Sequence, residues 1–342
     1  MSRPVEPIDT RSAPESVLGA LNEVYDEWDL EWRPAEPLTP FAQRLVDWRY
    51  VRDQIDVPRW ILREGDQIAA TSGLFQHRTQ DLDNSFGWVY VRAPWRGRGL
   101  GKKMLRPTID YAIADGRKRF MTVEPTDSPH TFWPAKIGIR PVYNERVSQL
   151  RTADVDRSLM REWIARASER AGDYEVRLLR SPIPDEFVEK AVKVAGVMNN
   201  APMEDLEEDP LEWTVDEWRE LEENESKRGR EVLGYFAIHK ATGDFVGYTN
   251  VAHQSLHPAI AYQWDTGVDP QHQNRGLGRW LKASMIEVLL VEYPEIEIIE
   301  TENAESNDPM LNINVAMGYR PAHEQIIYQG DITNVARYVD LD

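Results

Sequence analysis

The chain contains no cysteine. That absence excludes disulfides, thiolate metal sites and a cysteine nucleophile together. Apolar runs approaching ~18 residues are also missing, as is a basic-plus-apolar leader, so the expectation is no membrane span and a cytoplasmic location. Positive charge is scarce: 40 Lys and Arg stand against 58 Asp and Glu, a formal net charge of −18. Nucleic acid is therefore not expected as a partner, because phosphate contacts dominate that binding. The same field suits a cationic small molecule, and acidity that only serves solubility is the plainer alternative.

What the chain does have is a device that occurs twice. Gln273-Asn274-Arg275-Gly276-Leu277-Gly278 lies between a strand-like run ending at Val268 and an amphipathic run that starts near Leu277. Arg96-Gly97-Arg98-Gly99-Leu100-Gly101 follows a strand-like run ending at Val91 in the same way. A glycine-rich turn from strand to helix leaves backbone N–H groups facing outward, beside the positive end of the helix, as a seat for phosphates. Glycine suits the turn because no Cβ obstructs a close approach.

The surroundings of the two turns repeat as well. Gln273 follows Arg96 by 177 residues, and Gly318 follows Gly138 by 180. The run Val147 to Leu159 has a counterpart at Ile326 to Val339. A period this long predicts two homologous domains rather than a solenoid. The expected division is 1–151, a helical connector 152–172 capped by Thr152, and 173–342. Strands are expected at Val5–Ile8, Arg59–Arg63, Gln67–Arg78, Phe86–Val91 and Phe120–Val123, and again from Tyr174, Val232, Asp244, Ala259, Ile296 and Glu324. Pro107 falls within the helix predicted after the first turn, where it must kink that helix or sit in its first turn.

This order of elements, with a Q/R-x-x-G-x-G/A turn, resembles the GNAT (Gcn5-related) N-acetyltransferase superfamily, and the resemblance covers nearly the whole chain twice. It implies an α/β fold of two tandem acyltransferase domains, each a bulged mixed sheet flanked by helices. It also implies acetyl-CoA as co-substrate, no metal, and a small-molecule amine as acceptor. The turns then hold pyrophosphate through Gln273, Asn274, Arg275, Gly276, Leu277 and Gly278, and through Arg96, Gly97, Arg98, Gly99, Leu100 and Gly101. The strands before them bind the pantetheine arm through Thr266, Gly267 and Val268, and through Val89, Tyr90 and Val91. Asn307 matches an Asn of the last-helix motif and implies a further cofactor contact. Asn314 stands where many members carry the Tyr that protonates the departing thiolate.

Direct acetyl transfer needs an amine freed of its proton, and an alkylamine holds it to a pKa of about 10.4. Asp265, beside the expected bulge, is the leading candidate base, followed by Glu300 and Glu302 at the end of the next strand; each is alternatively a strand-end carboxylate paired with backbone or Arg. Trp88, Asp127 and Pro134 occupy the matching first-half positions of Asp265, Asn307 and Asn314. Catalysis is therefore expected in the second half, with the first half degenerate. Arg279 and Lys282 either reach the adenosine phosphate or form a solvated helix face, and the acidic run Glu204 to Asp209 is a candidate attractor of amines. The competing readings are a non-catalytic acyl-CoA-binding regulator and transfer of a longer acyl group. Monomer and homodimer both remain open.

Overall fold

The computed structural model describes residues 4–34, 36–127 and 133–340. The elements begin with β1 (Val5–Ile8), α1 (Glu15–Trp32), α2 (Phe41–Arg49), β2 (Ile55–Asp56), β3 (Arg59–Glu64), β4 (Gln67–His77) and β5 (Asn84–Val91). Next come α3 (Leu100–Ala114), β6 (Arg119–Pro125), α4 (Trp133–Lys136), β7 (Arg140–Arg151) and α5 (Arg157–Arg170). After these stand β8 (Tyr174–Arg180), α6 (Asp185–Ala195), α7 (Val215–Lys227), β9 (Arg230–His239), β10 (Asp244–Gln254) and β11 (Ile260–Val268). The chain closes with α8 (Leu277–Glu292), β12 (Ile298–Ala304), α9 (Asp308–Met317), β13 (Arg320–Asp331) and α10 (Ile332–Asp340).

Two compact units emerge, and neither is a continuous stretch. The first comprises residues 1–144, 203–209 and 323–342; the second comprises 145–202 and 210–322. Each unit is completed by a strand and helix from the far side of the sequence midpoint. In the first, β13 pairs antiparallel with β6, Gln325 opposite Pro125 through Asp331 opposite Arg119. In the second, residues 145–151 of β7 pair antiparallel with β12, Glu145 opposite Ala304 through Arg151 opposite Ile298. The division at 151 and 173 thus differs from the compact units. The counterpart runs were recognisable in sequence, but an exchange preserves their order and spacing and leaves no local trace.

In the first unit the strand order is β1-β3-β4-β5-β6-β13, with β2 beside β4 and only β5 and β6 parallel. Met104, Ile109, Ile332, Val335 and Val339 cover one face against Leu62 and Phe120. Leu18, Leu21, Val24 and Trp48 cover the other against Ile61 and Ile68. The second unit repeats the plan as β8-β9-β10-β11-β12-β7, again with one parallel pair, β11 and β12. Mixed sheets flanked by helices are the α/β fold expected.

Local chemistry explains the boundaries. Thr214 and Glu217 form a reciprocal capping box at the start of α7. The helix expected from Thr152 begins at Arg157 instead, because Asp156 accepts from the N–H groups of Ser158 and Leu159. Thr152 donates its hydroxyl to Ile296 O at 2.7 Å. The stretch expected as a connector is no linker: Met160 is buried in the core with Ala283, Ile286 and Leu289 of α8. Pro107 lies inside α3 and removes one rung of its hydrogen-bond ladder. No helix among the described residues is long and apolar enough to cross a membrane.

The exchange has a measurable consequence. Tyr328, Ile332, Val335 and Val339 all sit in the first unit's core. At roughly 1.5–3 kcal/mol for each buried side chain, their loss rivals the ~5–15 kcal/mol that holds a domain together. Deleting residues 323–342 should leave the first unit protease-sensitive while 145–202 and 210–322 stay protected. Limited proteolysis read by mass spectrometry checks this, and a protected first unit in the truncated chain contradicts it.

Candidate acyl-CoA clefts

Both glycine turns have the backbone that their sequence demands. Gly97 and Gly99 have φ of +75°, and in the second turn Asn274 stands at 62° and Gly276 at 83°. Asn is among the few non-glycine residues that tolerate this left-handed region, which is why it can replace a glycine here. A Cβ at Gly97, Gly99 or Gly276 would meet nothing within 4 Å, so conformation and not crowding holds glycine at Gly99 and Gly276. α3 and α8 start directly from these residues with no side-chain cap, leaving first-turn N–H groups as donors.

The side chain that opens each turn does something else. Arg96 Nε donates to Val91 O at 2.7 Å, and Gln273 Nε2 donates to Val268 O at 3.1 Å. The Q/R position therefore latches the turn to the end of its own strand. Arg96 also pairs with Glu31 at 2.6 Å, and Arg98 donates to Pro94 O. Arg275 lies over the Tyr174 ring and Arg279 over Trp163. The first-turn backbone N–H groups of α3 and α8 are left without a side-chain cap.

Beyond each turn the parallel strands part. β5 pairs with β6 only from Asn84 to Phe86, and β11 with β12 only from Ile260 to Tyr262. Past those points one edge of β5 and of β11 faces a cleft. In the first unit the cleft measures about 680 Å³ and is lined by the glycine turn, Val89, Tyr90, Val91 and an aromatic wall that includes Trp28, Trp32, Trp88 and Trp133. Burial pushes Glu124 in this cleft up to about 7, partly opposed by the Trp133 indole N–H that donates to it. Sequence reading missed Glu124; the only signal was a carboxylate directly after the run expected as strand, Phe120–Val123. The β4–β5 register runs unbroken from Ala70 opposite Val91 to Phe75 opposite Phe86, so the bulge expected here is absent.

The second unit does carry the bulge. Thr249 faces Thr266 while Val251 faces Gln263, which inserts one extra residue into β11 around Trp264 and Asp265. The Asp265 N–H turns to Asn250 Oδ1 at 2.7 Å, and its carboxylate accepts from Tyr248 Oη at 2.8 Å. Burial raises the Asp265 pKa, with side-chain hydrogen bonds from Tyr248 and Asn250 to its carboxylate pulling the other way. The cleft here is about 430 Å³, and Asp265, Thr266, Glu300, Glu302 and Asn307 all line it. Glu300 is buried and accepts from Gln149 Nε2 at 2.8 Å. Asn307 caps α9 by accepting the Met310 N–H. A Cβ on Gly267 would strike Val197, so that glycine also makes room for the segment after α6.

Two expectations change, and Asn314 acquires a role. Asn314 is buried and donates to Asn303 Oδ1 at 2.7 Å, a structural amide beneath the cleft. The acidic run lines neither cleft: Asp205 pairs with Arg140 at 2.8 Å, Glu207 with Arg119 at 3.3 Å, and Glu204 accepts from the Asn144 N–H, all within the first unit. Lys282 is on no solvated face. It is 1% exposed, lines the second cleft, and donates to Gln263 Oε1 at 2.7 Å. Tyr319 Oη donates to the same oxygen at 2.8 Å. The helix pattern around Lys282 looked like surface because its neighbours Gly278 and Arg279 are small or charged.

Burial without a paired carboxylate depresses Lys282 to about 7 from 10.5. Between those values the unfolded chain binds a proton that the folded chain does not, so stability should rise with pH by up to about 1.4 kcal/mol per unit, and stay level below 7. Lys282→Met should remove the slope and raise stability at neutral pH. Denaturant titrations from pH 6 to 10 test this, and a slope that survives the substitution assigns it elsewhere.

The profile of the acetyltransferase (GNAT) family matches residues 21–132 and 200–319. A tandem GNAT protein from the clavulanic acid biosynthesis pathway, solved without AcCoA, is similar in structure with a TM-score of 0.77 at 19% identity. The match covers 96% of this chain and 98% of that one. A GCN5-related N-acetyltransferase from Sphaerobacter thermophilus gives 0.68 at 13% identity over 96% of both chains. A glucosamine N-acetyltransferase region in a fungal multi-domain β-N-acetylglucosaminidase gives 0.69 at 9%, covering 96% of this chain and 38% of that one. Among curated proteins no sequence matches the chain.

Proposed function

The chain belongs to the acetyltransferase (GNAT) family, and from that premise we propose that it transfers acetyl from acetyl-CoA directly to the primary amine of a small molecule, in the cleft of the second unit. The observation that carries the assignment is the bulge at Trp264 and Asp265. It frees ladder groups at the point where β11 has already left β12, and it sets a carboxylate in the same cleft. The first unit has a turn and a cleft but an unbroken strand.

The chemistry follows from the groups present. Asp265 takes the proton of the incoming ammonium, directly or through one water, and its raised pKa brings it nearer the amine's than an ordinary carboxylate would be. Glu300 and Glu302 line the same cleft and support the cationic amine before it is deprotonated. A backbone N–H at the open edge of β11, beside the bulge, donates to the thioester oxygen as negative charge builds there. The α8 N-terminus and the backbone of Gln273 to Gly278 hold the pyrophosphate.

The apolar lining and unbroken register of the first cleft favour a second reading for that unit alone, acyl-CoA binding without turnover. Homodimers, monomers and a cytoplasmic location are all compatible with either arrangement.

Free CoA release, followed with a thiol reagent across an amine panel, tests the proposal against no background from the cysteine-free chain. Asp265→Asn should lower kcat by ~10²–10⁴ while acetyl-CoA still binds, as expected for loss of a general base. The acid limb of the kcat/KM profile should lie above the usual carboxylate range in the parent and vanish in the variant. Gly276→Val should abolish turnover, and Gly99→Val should spare it. Loss of turnover in a folded Gly99→Val variant alone would move the chemistry to the first unit.

A further inference from the structure

The second cleft holds an amine that the proposed transfer does not use. Lys282 projects from the second turn of α8 to the region where β11 and β12 part, since its partner Gln263 directly follows the last paired residue, Tyr262. From Gln263 out to Val268, where the strand ends ahead of the phosphate turn, β11 runs about 16 Å at the ordinary rise. An extended pantetheine arm covers such a length, so a thioester carried in from the turn arrives near the Lys282 end of the cleft. In the first unit the corresponding cleft position is Leu105, which has no amine.

The local hydrogen bonding favours a neutral nitrogen. Gln263 Oε1 accepts from both Lys282 Nζ and Tyr319 Oη, and Gln263 Nε2 donates onward to Thr249 Oγ1 at 2.8 Å. An ammonium would bring three donors to this spot, and among the described residues the acceptor it bonds, Gln263 Oε1, is already shared with Tyr319. The Tyr319 ring also lies beside the nitrogen, its centroid 5.1 Å away. An uncharged amine keeps its bond to Gln263 and has a lone pair available. Burial lowers the cost of that state by the same desolvation that depresses its pKa.

The geometry points to Lys282 as an internal acyl acceptor, modified by the acyl-CoA that the second cleft holds. The Nζ lone pair attacks the thioester carbonyl carbon; the N–C bond forms, the C–S bond breaks, and CoA departs as a thiolate. The proton shed by Nζ as it becomes an amide passes to that sulfur, giving free CoA. The product retains one N–H, enough for the bond to Gln263, and has no charge to bury. The inference rests on acyl-CoA occupying the second cleft, but not on Asp265 acting as base toward an external amine.

Intact-mass and peptide mass spectrometry of the full chain incubated with acetyl-CoA, in the absence of any amine, tests it. The expected result is one acetyl group per chain, mapped to Lys282, with one equivalent of CoA released. The adduct should be missing from Lys282→Met and reduced at least tenfold in Gly276→Val, and should persist in Gly99→Val. Circular dichroism and acetyl-CoA binding report whether each variant is folded. An unmodified Lys282 in a protein that binds acetyl-CoA and turns over an amine overturns the inference alone. Failure to bind acetyl-CoA at the second turn overturns the functional proposal with it. Acetylation scattered over exposed lysines, or at Lys282 regardless of Gly276→Val, indicates solution chemistry and also overturns it.

Discussion

Each unit depends on a parallel strand pair that stops after three residues on each side. Parallel neighbours normally keep their ladder, because an unpaired backbone group removed from water costs about as much as a lost hydrogen bond. Here β5 leaves β6 after Phe86, and β11 leaves β12 after Tyr262. The exposed edges are tolerable because they border cavities, where a ligand or water can satisfy them. On the far side the strands that diverge remain anchored: β6 continues along β13, and β12 continues along β7. The turns, the helix starts and the acidic or aromatic linings all take their position from that separation.

The two clefts share this frame and differ in chemistry. Leu105 and Lys282 occupy the floor, Trp88 and Asp265 the strand, and Glu124 and Asn303 the facing strand. One set gives a roomy, aromatic space with a single carboxyl near neutrality; the other gives a smaller polar space with a fully buried lysine. The bulge separates them further. Asn250 supports it by accepting the Asp265 N–H, a bond that a regular ladder would have supplied from backbone.

Much of this was legible in the sequence because it was periodic or punctuated. The glycine turns announced their own φ values, and alternation located the strands to within a few residues. Asp265, Glu300, Glu302 and Asn307 were picked from separate segments, and all line one cleft. What stayed hidden was non-local. Whether Lys282 faces water depends on Gln263 and Tyr319, which lie 19 and 37 positions away. Arg140 and Arg119 pair with the acidic run from distant strands and Asn144 donates its N–H to it, and no charge pattern within that run foretells them. A bulge is likewise a property of two strands read together, so the first half looked as eligible for one as the second.

The exchanged ends impose an order on synthesis. The first unit consists mostly of residues that leave the ribosome early, yet β13 and α10 are the last described elements of the chain. Its sheet edge at β6 and the apolar face of α3 must therefore wait, uncovered, through translation of nearly two hundred residues. The second unit needs nothing beyond residue 322 and can close first. A chain built this way folds from its middle outward and relies on distant contacts for its final step, the kind of contact that slows folding most. During that interval an unpaired edge is open to other strands, and a cell that makes this protein has reason to shield it.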